Sequence, residues 1–169
     1  LIPSRSNAVD TLETRLRGYD AEALAKRARI LGDHRRGAIL FYRNQLGCLQ
    51  CHAAEGETQL GPDLAALGDR ARHDHVIESL LEPSKVIHPQ YRSERILLDD
   101  GRVLTGIVQT ETDAAVTLLI PGKDKATGLD RDRVEARADA ASIMPSGLIN
   151  SLSDEQDFFD LVCFLVEYG

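Results

Sequence analysis

The chain has 169 residues, 43% of them hydrophobic and 28% charged, a balance that supports a folded domain with a core of its own. Twenty Lys and Arg against 27 Asp and Glu leave a formal charge of -7, and no basic run appears, which excludes an ordinary nucleic-acid-binding surface. No apolar run approaches the length of a membrane span, so an integral membrane protein is excluded as well. The chain opens at Leu1 without an initiator Met and reads as a processed mature chain or a piece of something longer.

Residues 1–32 predict two short helices. Val9, Leu12 and Leu16 share one face of the first, and Asp20 caps the second, whose stripe is Ala21, Leu24, Ala25, Ala28 and Leu31, with Gly32 as its stop. Asp33 opens a third helix through Gly37 and Phe41. It leads to Gly47-Cys48-Leu49-Gln50-Cys51-His52, followed by a polar loop from Ala53 to Gly61. A short helix carrying Leu64 and Leu67 comes next. Another is capped by Asp74, turns Ile77, Leu80 and Leu81 inward and stops at Pro83. From Tyr91 the period changes to two. Ile96 to Leu98, a turn at Asp100-Gly101, Val103 to Val108, Val116 to Ile120, a turn at Pro121-Gly122 and Val134 to Arg137 predict a small antiparallel sheet or barrel over 91–140. Helix returns at the end, with Ser153 and Gln156 as a capping box and Phe158, Leu161, Val162 and Leu165 on one face. Cys163 lies in this apolar stretch and is expected to be a buried, unmodified thiol.

Three cysteines are too few for a disulfide framework, but two are spaced for chemistry. Cys48-x-x-Cys51-His52 is the pattern of covalent haem attachment: one turn of chain offers two thiols to the two haem vinyl groups, and the adjacent imidazole faces the iron. A zinc site would need a second close ligand pair. Cys163 is remote in sequence and His73 with His75 forms only a loose cluster. A thioredoxin-like dithiol would follow a strand, whereas a helix precedes this motif. Met144, the only methionine, stands in the stiff loop Ser142-Ile143-Met144-Pro145-Ser146-Gly147 and is the candidate second axial ligand, ahead of His34, His73, His75 and His88. A methionine filling a core gap is the structural alternative.

Taken in order, Gly37-x-x-x-Phe41, Cys48-x-x-Cys51-His52, Gly61-Pro62-Asp63-Leu64, Met144-Pro145 and the closing segment Asp160 to Leu165 resemble a class I c-type cytochrome. Gly37-Ala38-Ile39-Leu40-Phe41-Tyr42, Leu81-Glu82-Pro83-Ser84 and the hairpin from Asp100-Gly101-Arg102 to Gly106 resemble, more narrowly, the haem-binding domain family described from planctomycete and verrucomicrobial proteins. The resemblance spans about residues 33–169. It implies a mainly α fold: a cytochrome c-like helical domain (33–90 and 141–169) with an inserted β module (91–140) and an N-terminal helical extension (1–32). Met144 follows His52 by 92 residues; without the 50 residues of 91–140 the gap is 42, common among small cytochromes.

The resemblance also implies residue roles. The Pro62 carbonyl would hold Nδ1 of His52, and Gly37 would let the helices at 33–41 and the C-terminal end cross closely, with Phe41 near Leu161, Phe164 or Leu165. Cys48, Cys51, His52, Pro62 and Met144 would then bind one covalent haem c, with His52 and Met144 on the iron. Apart from the resemblance, Arg70, Arg72, Tyr91 and Arg92 are candidate propionate donors by their closeness in sequence to the pocket segments alone. The expected function is one-electron transfer, not catalysis, as a carrier or as the electron-accepting domain of a larger dehydrogenase, in the periplasm or cell envelope. The expected partner is a redox protein, fused or associated, such as a dehydrogenase. A haem-based sensor of small ligands is the alternative, and the β module is expected to modify access to the haem or dock a partner without being part of the iron site.

Overall fold

The computed structural model describes residues 10–43, 45–52 and 60–169. Val9 and most of the loop read from Ala53 to Gly61 lie outside the described residues. The helical part comprises α1 (Leu12–Arg17), α2 (Ala21–Leu31), α3 (His34–Phe41), α4 (Leu49–His52), α5 (His73–Leu81) and α6 (Glu155–Tyr168). Asp20 and Asp33 cap α2 and α3, each carboxylate accepting from backbone N–H groups of the first turn. Their apolar faces meet in one core, in which Leu16, Leu24, Phe41, Ile77, Phe158 and Leu161 are almost wholly enclosed. Residues 12–31 thus belong to the same core as the last helix.

The α3–α6 contact is the tightest in this part. A β-carbon at Gly37 would overlap the Asp160 carbonyl on α6, so only glycine lets the two backbones approach this closely. Phe41 packs against Phe164 at 5.3 Å between ring centroids. Beside the crossing Asp160 is buried, 1% exposed, and fully hydrogen-bonded: it accepts from Arg36 Nε at 2.6 Å, the Asp33 amide at 2.8 Å and Gln156 Nε2 at 2.8 Å. Burial alone would raise its pKa, but Arg36, Gln156 and the Asp33 amide outweigh it and hold the carboxyl below its ordinary value. A carboxylate with a depressed folded-state pKa stabilises fully above the unfolded value of about 3.9, and that contribution is lost as pH falls through the lower folded value. Thermal melts should therefore hold level down to about pH 5 and fall steeply below about pH 4. Asp160→Ala should cost about 3 kcal/mol at neutral pH and flatten that acid limb.

Residues 93–139 form a five-stranded antiparallel sheet: β1 (Ser93–Leu98), β2 (Val103–Glu111), β3 (Ala115–Leu119), β4 (Thr127–Asp130) and β5 (Val134–Asp139), in the order β4-β3-β2-β1-β5. The edge strands β4 and β5 are joined only by the 3-10 turn Arg131–Arg133, which spans about 6 Å. In a flat sheet those edges would stand about 19 Å apart. The sheet therefore rolls up into a small barrel left open between β4 and β5, which do not pair, and Ile96 and Leu98 of β1, Val116 and Leu118 of β3, Val108 of β2 and Val134 of β5 form one cluster inside it. Arg137 of β5 pairs with Glu94 on the adjacent β1 at 2.7 Å and extends to Glu111 at the end of β2 at 2.8 Å.

The mainly α class expected from the sequence is corrected. Of the described residues 45% are helical and 20% lie in strands, which makes a mixed α/β fold. The physical reason is the barrel's separate core, together with β4, which the sequence reading missed because Thr127-Gly128-Leu129-Asp130 holds a single large apolar residue and a glycine. Smaller corrections follow from local chemistry. The cap of α6 is Asp154, not Ser153. The Asp154 carboxylate accepts from the Asp157 amide, while Gln156 is drawn to Asp160 and the Leu31 carbonyl. Helix α5 starts at His73, with Asp74 inside its first turn, held by Arg72, which lowers the Asp74 pKa to about 2. Leu64 and Leu67 sit in and between two 3-10 turns rather than on an α-helix. Cys163 is half-exposed instead of buried, because it faces the α2–α3 junction at Gly32 and leaves Sγ 3.7 Å from Glu167 Oε1.

Candidate functional site

Gly47, at φ +63°, turns the chain into α4, whose single turn carries Cys51 and His52 and follows directly on Cys48. The His52 amide donates to the Cys48 carbonyl at 3.0 Å, so the motif is helical and its thiols lie one turn apart. The Gly61 amide donates to the Cys51 carbonyl at 3.1 Å and brings the segment after the loop back against α4. His52 lies flat on that segment. A β-carbon at Gly61 would stand 2.6 Å from Cε1 and 2.8 Å from Nδ1 of the imidazole. The Pro62 carbonyl oxygen is 2.9 Å from Nδ1. A carbonyl can only accept, so Nδ1 carries the proton and the lone pair is on Nε2. Burial pushes the His52 pKa down, opposed by the Pro62 carbonyl, and keeps the ring neutral at neutral pH. Burial likewise pushes the Cys48 and Cys51 thiols up.

The two thiols belong to different surroundings. Cys48 packs on the helical core, as do Met144, Leu64 and Leu148. Cys51 packs on a separate cluster of Leu60, Ile107 and Leu119, with Tyr91 and Ile143. The neighbours Ile143 and Met144 thus divide between the same two surroundings as the cysteine pair. Their loop is tied down on both sides. The Ser142 amide donates to Ser84 Oγ at 3.1 Å and the Met144 amide to Ser142 Oγ at 3.2 Å; after the left-handed Gly147, Asn150 accepts from the Glu13 amide of α1 at 2.9 Å. Beside the second cluster lies an open cavity of about 610 Å³, floored by Tyr91, Ile107 and Leu119 and rimmed by Arg92, Glu94 and Asp139.

The other histidines have other partners or stand in the open. His34 meets Glu167 at 3.3 Å, His88 is exposed and accepts from the Gln90 amide, and His73 and His75 are half-buried on α5. Among the propionate candidates, Arg72 is taken by Asp74, Arg70 is exposed, and Tyr91 and Arg92 line the cavity. Among the described residues no three His, Cys, Asp or Glu side chains converge to hold an ion unaided. The donor set instead fits a group that brings its own equatorial ligands: two thiols for attachment, one oriented imidazole and one thioether. Sequence reasoning passed over the ring seat at Gly61 and the cluster around Cys51. The signal for the second was present, since Ile107-Val108 and Leu118-Leu119 break the alternation of a one-sided strand. Compared with known proteins, the chain matches no protein-family model and no curated sequence.

Proposed function

We propose that the chain is an electron-transfer domain that holds one haem c through Cys48 and Cys51, with His52 and Met144 as axial ligands. The observation that carries this reading is the seating of His52 by Gly61 and the Pro62 carbonyl, a hydrogen bond that fixes the tautomer and leaves the lone pair on Nε2. Haem c, once bound, supplies a one-electron ferric–ferrous couple. The chain's residues attach it, orient the imidazole and offer from the tethered 142–147 loop a soft, neutral thioether that favours the reduced metal. Attachment of this kind takes place outside the cytoplasm in bacteria, so the reading locates the domain in the periplasm or cell envelope. Its partner is a redox protein, associated or fused, such as a dehydrogenase. Among the described residues no helix is long and apolar enough to cross a membrane.

Denaturing mass analysis after expression with maturation factors tests attachment: the expected mass is the polypeptide plus one haem, and bare polypeptide overturns the reading. Ligation is tested by the weak red charge-transfer band of ferric iron bound to sulfur. The band should be present in the parent and lost in Met144→Ala, which should also turn high-spin, bind carbon monoxide when reduced and show a lower midpoint potential. A band that survives in Met144→Ala would assign the sixth ligand to another residue.

A further inference from the structure

We infer that the barrel is a wall of the cofactor site, and that the cross-strand pair Ile107–Leu119 closes it against water on the Cys51 side. The barrel's interior is already filled by Ile96, Leu98, Val116 and Leu118, with Leu104, Val108 and Ile120 packed against them. In β2 and β3 those interior positions alternate, so Ile107 and Leu119 point to the outer face. They are direct partners in the β2–β3 register. An apolar pair on the outside of a barrel is ordinarily exposed, yet these are 4% and 5% exposed. What packs against them, beside the open cavity they also line, is the Cys51 cluster: Leu60, just before the ring seat at Gly61, Tyr91, Ile143 beside Met144, and Cys51 itself. Gly106 keeps the pair together, because a β-carbon there would overlap the Leu119 carbonyl and push β2 from β3. The wall therefore touches the second attachment cysteine but not the first, which rests on the helical core.

Burial sets haem potential, since water at the haem edge stabilises the ferric charge. The inference rests on the haem reading for its effect on potential and is independent of it for its effect on Cys51. The double variant Ile107→Thr/Leu119→Thr keeps strand-forming residues at both positions while making the wall polar. Val116→Thr, which places the same hydroxyl inside the barrel, is the control for simple loss of barrel stability. In the full chain produced without haem, alkylation under native conditions followed by peptide mass analysis should show Cys51 labelled faster in the double variant, Cys48 unchanged, and neither changed in Val116→Thr. In the matured chain the double variant should shift the midpoint potential down, with the charge-transfer band retained, and Val116→Thr should leave the potential at the parent value. Equal acceleration at Cys48 and Cys51, or the same potential shift in Val116→Thr, overturns the wall. Absence of covalent haem in the parent overturns the functional reading instead, and the labelling contrast still decides the wall.

Discussion

Gly61→Ala is expected to give a folded chain that no longer presents His52 correctly. The added methyl would fall within the imidazole itself, 2.6 Å from Cε1, and the ring can give way only by leaving the Pro62 carbonyl. Overpacking of this kind costs about 1–3 kcal/mol, and the lost hydrogen bond about 1 kcal/mol more. The haem-loaded variant should lose most of its low-spin spectrum and bind carbon monoxide when reduced. In the chain without haem, the His52 pKa, read by NMR, should rise toward its ordinary value as the ring leaves its buried seat. Pro62→Ala retains the carbonyl and should change both readouts far less. A Gly61→Ala variant with the parent's spectrum and the parent's His52 titration would show that the ring does not depend on this seat.

Gly37→Ala should be the most damaging single methyl in the helical part. On an isolated helix the change would help by about 1 kcal/mol, because alanine is the better helix former. Here the methyl meets backbone of the facing helix, which cannot rotate away as a side chain would. Helices α3 and α6 must separate, loosening the Phe41–Phe164 contact and the hydrogen bonds around Asp160 together. A net loss of about 3–5 kcal/mol is expected, comparable to other severe core lesions and a large share of a typical domain's stability. For a chain of this length the midpoint of thermal unfolding should fall by about 10 °C. A melt within about 2 °C of the parent would mean that the crossing can open without cost.

Local chemistry was legible wherever one residue's chemistry decides the outcome. Asp20 and Asp33 are short carboxylates ahead of apolar periodic segments, and both cap. The close crossing at Gly37 and the hydrogen bond at Pro62 were expected from the family resemblance rather than from the residues alone, and the structure has both. Legibility failed where two residues competed for one role. Asp154 stands beside Ser153, an equally good cap, and takes the position, and Gln156 had a tertiary partner invisible in sequence. It failed again where burial depends on the other side of a surface. Cys163 sits in an apolar run but faces a helix junction with too little cover, while Ile107 and Leu119 sit outside a barrel yet are enclosed. The mixed class was missed for a different reason: a small sheet or barrel was expected over 91–140 but counted as an insertion in a helical fold, and β4, with one large apolar residue, was not read as a strand.

The barrel's first and last strands, β1 and β5, are hydrogen-bonded neighbours, and the Ala140 amide donates to the Ser93 carbonyl at 2.9 Å. For the chain outside it, everything between those residues therefore amounts to a single step across one strand spacing. A barrel whose contacts are mostly local can form early, and once formed it removes its own length from the loop that α3 and α6 must close. The entropy saved is only about 0.5 kcal/mol, because closure cost grows with the logarithm of length. The larger consequence is evolutionary. A module that enters and leaves the helical core at one point can lengthen, shorten or be exchanged without changing the path of α3, α5 or α6, so variation between Ser93 and Ala140 should be constrained chiefly at the outer-face pair that meets Cys51.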